Sequence, residues 1–143
     1  MKRGFQILCH IDFIAILTEN QIKTTDQANS LICRSILNVK VYFSFPGLKV
    51  HSKLCLVERT EKGKSRFYCY LSTGNFNEKT ARIYSDYGLL TANQDFGREI
   101  RKVFNFLERK SEKEKFNYLL VAPFNLRKSL FELIEAEIQN SNE

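Results

Sequence analysis

Apolar residues along this chain recur at two periods, and the order in which those periods alternate admits few folds. Phe5 to Leu17 is an apolar run of buried-strand character, followed by a loop over Asn20 to Thr24. Thr25-Asp26 supplies capping oxygens, and Ala28, Leu31, Ile32, Ser35 and Ile36 then fall at helical spacing. Val39-Lys40-Val41-Tyr42-Phe43 alternates as a strand does and halts at Pro46-Gly47. Strands follow over Val50 to Glu58 and Arg66 to Ser72, and Thr60-Glu61-Lys62-Gly63-Lys64 between them has the composition of a hairpin turn. A polar loop from Thr73 to Lys79 leads to strand character over Ile83 to Leu90. Asp95 is placed to cap a second helix whose apolar stripe is Phe96, Ile100, Val103, Phe104 and Leu107. Asn117 to Val121 reads as a short strand ended by Pro123, and Asn125 opens a last helix with Leu126, Leu130, Leu133, Ile134 and Ile138 on one side. Strands alternating with helices predict an α/β fold, a mixed β-sheet flanked by helices.

At 143 residues and 43% hydrophobic content the chain can bury one core, so a single domain over 1–143 is expected. No stretch is apolar for long enough to span a bilayer. The basic start Met1-Lys2-Arg3-Gly4 before an apolar run has the outline of a leader. Cys9-His10 and Asp12 interrupt that run and no small-residue cleavage pattern follows, so a strand is the better reading. Cys9, Cys33, Cys55 and Cys69 form no CxxC pair and lie in apolar runs, which fits reduced thiols in a cytoplasmic setting, with membrane association only through a complex. Lys and Arg number 22 against 16 Asp and Glu, a formal charge of +6 that favours polyanionic partners. The charged run Arg109 to Lys115 reads as a solvated loop, and Phe96, Phe104, Phe106 and Phe116 read as core or interface rather than a platform for stacked bases.

Chemistry concentrates between Gly47 and Asp86. On a strand alternate residues share a face, so in His51-Ser52-Lys53 the imidazole and the ammonium would address one site. A histidine attacks phosphorus through a neutral ring nitrogen, and a neighbouring cation neutralises phosphoryl oxygens. Ser72-Thr73-Gly74-Asn75 adds a glycine with exposed backbone N–H groups and the Asn75 amide, all donors suited to an anionic transition state. Glu58, five residues beyond Lys53, has the opposite strand parity: it would either orient the site or face away.

These residues carry a resemblance. His51-x-Lys53, the acid at Glu58 and Gly74-Asn75 resemble one copy of the HKD signature of the phospholipase D superfamily. The longer run Pro46-Gly47-Leu48-Lys49-Val50-His51-Ser52-Lys53, and then Ser72-Thr73-Gly74-Asn75-Phe76-Asn77-Glu78-Lys79-Thr80-Ala81-Arg82-Ile83-Tyr84-Ser85-Asp86-Tyr87-Gly88-Leu89-Leu90-Thr91, closely resembles the bacterial polyphosphate kinases of the long, multidomain type. The likeness continues through Arg101 to Leu107 and Tyr118 to Arg127; it is strong from Val39 to about Ile138, and 1–38 has diverged.

The resemblance implies a phospholipase D-like half, the first of the family's two catalytic domains. There a histidine takes phosphate from ATP and passes it to a growing polyphosphate chain; by motif position that nucleophile is His51, and the tyrosine that meets the nucleotide is Tyr84. Lys53 and Arg82 join them as phosphate-neutralising groups on chemical grounds, with Asn75 and Gly74 beside them. ATP and magnesium are the implied small molecules, but Gln21 stands where the family places an arginine of its magnesium and phosphate site, so no metal ligand is assigned. The chain stops at Glu143, before the family's second catalytic domain, and an incomplete or inactive isolated domain is expected. ATP and polyphosphate are the expected partners, with a homodimer or another polyphosphate kinase chain completing the assembly; nucleic acid ranks below these. Two other classes compete with this reading: a homodimeric phosphodiesterase of the phospholipase D type, in which each copy donates one HKD set, and a non-catalytic domain that binds polyanions or docks on a partner.

Overall fold

The computed structural model describes strands Phe5–Ile11, Phe13–Thr18 and Lys40–Tyr42 and the continuous stretch 48–141. The first three are β1, β2 and β3; the sheet is completed by β4 (Lys53–Glu61), β5 (Lys64–Ser72) and β6 (Gly88–Thr91), in the order β3-β2-β1-β4-β5-β6. Helices α1 (Glu78–Ala81), α2 (Gln94–Leu107) and α3 (Leu126–Asn140) follow the central hairpin. The α/β class expected from the sequence holds, while all five strand pairings described are antiparallel. Short reversals between β1 and β2 and between β4 and β5 turn the chain straight back on itself, which only antiparallel neighbours allow. The expected helix over Thr25 to Ile36, the loop before it, Gln21 and Pro46-Gly47 lie outside the described residues.

The β4–β5 hairpin turns where the sequence placed it. Lys62 and Gly63 both take positive φ, 49° and 76°, and Glu61 pairs with Lys64 across them, a two-residue turn whose twist suits antiparallel strands. Leu54 and Leu56 of β4 and Cys69 of β5 form one face of this hairpin, and the apolar stripe of α2, Ile100, Val103, Phe104 and Leu107, packs against it with Phe116. Gly97 allows α2 to lie that close, since a Cβ there would stand 2.2 Å from the Cβ of Phe67. Gln94 fastens the start of the helix to the same strand: its side-chain oxygen accepts from the Phe67 N–H at 3.1 Å, and its amide donates to the Phe67 carbonyl at 3.1 Å.

Several boundaries differ from the sequence reading, each for a local reason. The run Phe5 to Leu17 is two antiparallel strands rather than one, with Ile11 opposite Phe13; the run is longer than a usual strand. Asn93 rather than Asp95 caps α2: its side chain accepts from the N–H groups of Asp95 and Phe96 at 2.9 and 3.2 Å. Only the last three residues of the expected Ile83 to Leu90 strand pair in the sheet, as part of Gly88–Thr91, because the N–H groups of Ile83 and Tyr84 close a turn on the Thr80 carbonyl at the end of α1. Asn117 to Val121 is irregular chain rather than a strand. Its N–H groups go to a side chain instead of a ladder: the buried carboxylate of Glu99 accepts from Asn117, Tyr118 and Leu119 at 2.6, 3.1 and 2.8 Å.

Candidate active site

Three strand ends converge where the proposed chemistry lies. Lys53, the first residue of β4, pairs with Ser72, the last of β5, and Ser72 pairs in turn with Gly88, the first of β6. His51, the turn after Ser72 and the chain around Asp86 therefore all leave the sheet at one edge. His51 itself lies just before β4 rather than on it.

Lys53 is buried, although a lysine is seldom so without a partner. Its Nζ donates to the His51 carbonyl oxygen at 2.8 Å and lies 3.0 Å from Nδ1 and 3.2 Å from Nε2 of the same residue. The imidazole and ammonium thus converge as expected, although His51 stands outside β4 and the contact comes from Lys53 reaching back to it rather than from strand parity. A neutral imidazole has one bare nitrogen, so only one of the two ring approaches can be a hydrogen bond at a time. The ring is exposed on its other side and borders a cleft of about 370 Å³ whose walls include Leu48, Val50, Leu71, Phe106 and Val121.

The glycine turn is held from both sides. The Gly74 N–H donates to Ser72 Oγ at 2.9 Å, the Thr73 N–H to the Tyr87 carbonyl at 3.0 Å, and the Tyr87 N–H back to Thr73 Oγ1 at 2.9 Å. Gly74 is required here by close approach: a Cβ would stand 2.2 Å from an Asp86 carboxyl oxygen. Its N–H, expected from the sequence to be available to an anion, already serves Ser72. Asn75 remains exposed, and its carbonyl accepts from the Asn77 N–H at 2.8 Å. Ser72 and Asp86 shape the turn, and the residue-type reasoning selected neither, although both lie within the motif that carries the resemblance.

The remaining expected residues stand farther out. Arg82 pairs with Glu78 on the surface, a contact that solvent screens and that a phosphate could displace. Tyr84 is 66% exposed, with its ring available to a ligand. Glu58 faces away from Lys53, as its parity allowed, and meets helix α2: it pairs with Arg101 and accepts from Ser65 Oγ at 2.6 Å. Burial pushes this carboxyl up, but the bonds from Ser65 and Arg101 outweigh it and hold Glu58 below its ordinary value. Glu58 therefore braces the fold. Among the described residues no three His, Cys, Asp or Glu side chains gather as a metal site would require.

Comparison with known proteins follows the same residues. Residues 5–113 match the family described as polyphosphate kinase C-terminal domain 1. The chain is 42% identical over 132 residues to the polyphosphate kinase of Escherichia coli K12 and 40% identical over 130 residues to that of Vibrio cholerae, covering 91% and 90% of this chain. The crystal structure of polyphosphate kinase from Porphyromonas gingivalis superposes with a TM-score of 0.70 at 39% identity, over 85% of this chain. The chain spans about a fifth of these relatives, 19%, 18% and 21% of their lengths.

Proposed function

The chain belongs to the polyphosphate kinase C-terminal domain 1 family, and on that footing we propose that His51 accepts the terminal phosphoryl group of ATP for transfer to a polyphosphate chain. The domain supplies one half of the site. The observation that carries the reading is the contact between Lys53 Nζ and the His51 ring, 3.0 and 3.2 Å from its two nitrogens.

At 3.0 and 3.2 Å from the two ring nitrogens the ammonium lies over the ring rather than along either in-plane lone pair, so the bare nitrogen keeps the pair needed for attack. Phosphoryl oxygens carry full negative charge and compete for the ammonium better than a neutral ring does. Arrival of the triphosphate draws Lys53 onto the phosphate, beside that lone pair. A nitrogen–phosphorus bond then forms as the bond from the terminal phosphorus to its bridging oxygen breaks, and ADP leaves with that oxygen. In the second step a terminal oxygen of polyphosphate attacks the same phosphorus and the ring nitrogen departs with its electron pair. Phosphoryl transfer demands mainly positioning and charge neutralisation, which Lys53 and Arg82 supply, with Asn75 donating to a phosphoryl oxygen and Tyr84 beside the nucleotide. The free thiols of Cys55 and Cys69 and the need for ATP support a cytoplasmic setting for this chemistry. Magnesium, implied by the resemblance, finds no fitting set of side chains among the described residues.

The test is incorporation of label from γ-labelled ATP into this chain, alone and mixed with a polyphosphate kinase chain that can supply the other half of the site. Acid-labile, base-stable label is expected, absent in His51→Ala and slowed on the order of a hundredfold in Lys53→Ala, the loss typical of removing one charge-stabilising donor. Label that persists in His51→Ala would overturn the reading.

A further inference from the structure

Strands β1 and β4 run antiparallel with Ile7 opposite Val57, Leu8 opposite Leu56 and Cys9 opposite Cys55. Two cysteines far apart in sequence thus hold partner positions in the sheet. Directly opposed residues of an antiparallel pair share a face, with Cα atoms about 4.5 or 5.5 Å apart. A disulfide needs Cα atoms about 4.4–6.8 Å apart, so the backbone register already meets its reach. Cys55 is half-buried and has the strand parity opposite to Leu54 and Leu56, the residues on which α2 packs. Cys69 is set apart from this pair. It stands opposite Leu56 in the core beneath α2, and burial pushes its thiol up to about 11, whereas a thiol must ionise before it reacts. On its β5 side Cys55 meets Tyr70, so among the described residues Cys9 is the thiol in register with it.

From this register we propose that Cys9 and Cys55 are an oxidation site, closing into an intrachain disulfide when the reduced chain meets a peroxide. One thiolate attacks an oxygen of hydrogen peroxide: the sulfur–oxygen bond forms as the oxygen–oxygen bond breaks, and hydroxide departs. The second thiolate attacks the sulfenic sulfur, the sulfur–sulfur bond forms, and the sulfenic oxygen leaves as a second hydroxide. Each hydroxide takes up one thiol proton. Two thiols therefore lose two electrons and two protons, and the peroxide is reduced to two waters. An added small thiol reverses the bond by exchange. The bond ties β1 to the strand that begins at Lys53. This inference does not depend on the phosphoryl-transfer reading.

Peptide mapping of the intact chain tests it, after reduction, exposure to hydrogen peroxide under native conditions, alkylation and digestion without reductant. A linked pair joining the Cys9 and Cys55 peptides is expected, two hydrogens lighter than its parts and lost on treatment with dithiothreitol. It should exceed any other linkage at least about tenfold, because disulfide geometry is selective and the register holds these two positions within it. Cys33→Ser should keep the bond, and Cys9→Ser should leave Cys55 open to alkylation. The same oxidation in urea should scatter over several pairings, which separates a bond set by the fold from one set by chance encounter. Linkage of Cys55 to Cys33 or Cys69, a bond between two chains, or Cys9 and Cys55 that stay unlinked would each overturn the proposal, as would one mixture of pairings in native and urea conditions alike.

Discussion

At the scale of single residues, the informative side chains are buried charges, because each must be answered by a partner. Lys53 is answered by His51; their closeness two residues apart was legible in the sequence, but the strand parity that suggested it does not apply, because β4 begins only at Lys53. Glu58 was legible only as an alternative, and Arg101 on a distant helix decides it. Glu99 was not legible, since nothing near it in sequence shows that it will serve three N–H groups some eighteen residues onward. Those groups would otherwise be strand donors, which is why the apolar run Asn117 to Val121 read as a strand. Replacing the carboxylate with an amide leaves a nitrogen facing N–H donors. Glu99→Gln is expected to cost about 1–3 kcal/mol of stability, the penalty for leaving a buried donor unanswered. The urea midpoint measures it; a midpoint unchanged from the parent would show that the carboxylate does not hold the loop.

At the scale of elements, periodicity found the β4–β5 hairpin, α2 and α3, where local pattern and final contact agree. The Lys62-Gly63 turn is the clearest case, because a glycine, which takes positive φ freely, stands where the strands must reverse. Periodicity overran β6, where the side chains keep an apolar character but the backbone donors of Ile83 and Tyr84 complete the end of α1. It also gave no warning of how closely α2 lies on β5, which depends on the single missing side chain at Gly97. Alanine is the better helix former, so on propensity alone Gly97→Ala would stabilise α2. The Phe67 contact reverses that sign, because strand and helix must part to admit a methyl group. A net loss of about 1–3 kcal/mol is expected, as overpacking usually costs. Thermal or urea unfolding of the variant decides between the two signs.

At the scale of the whole molecule, the sheet and α2 share a core in which one thiol, Cys69, is buried among the described residues and reports on its integrity. Burial, with Cys55 nearby, pushes the Cys69 thiol from its ordinary 9.0 up to about 11. Between those values the unfolded chain has released this proton while the folded chain keeps it, so folding stability falls as pH rises. Urea midpoints on either side of pH 9.0 should show that decline, and Cys69→Ala should lose stability near neutrality yet show a shallower decline. An equal slope in both proteins would assign the alkaline loss to other groups. The antiparallel order of the sheet, with β1 beside β4 rather than beside β3, could not be read from local pattern, because it is settled by long-range pairing. Membership in the polyphosphate kinase C-terminal domain 1 family was legible, for the motif residues that carry it lie close together in sequence as well as in space. Tandem mass spectrometry after exposure to ATP tests the central claim most directly, since the chain has two histidines and each serves as a control for the other. The phosphate is predicted on His51 and absent from His10; phosphate on His10, or an unmodified His51 in a chain that binds ATP, would contradict it.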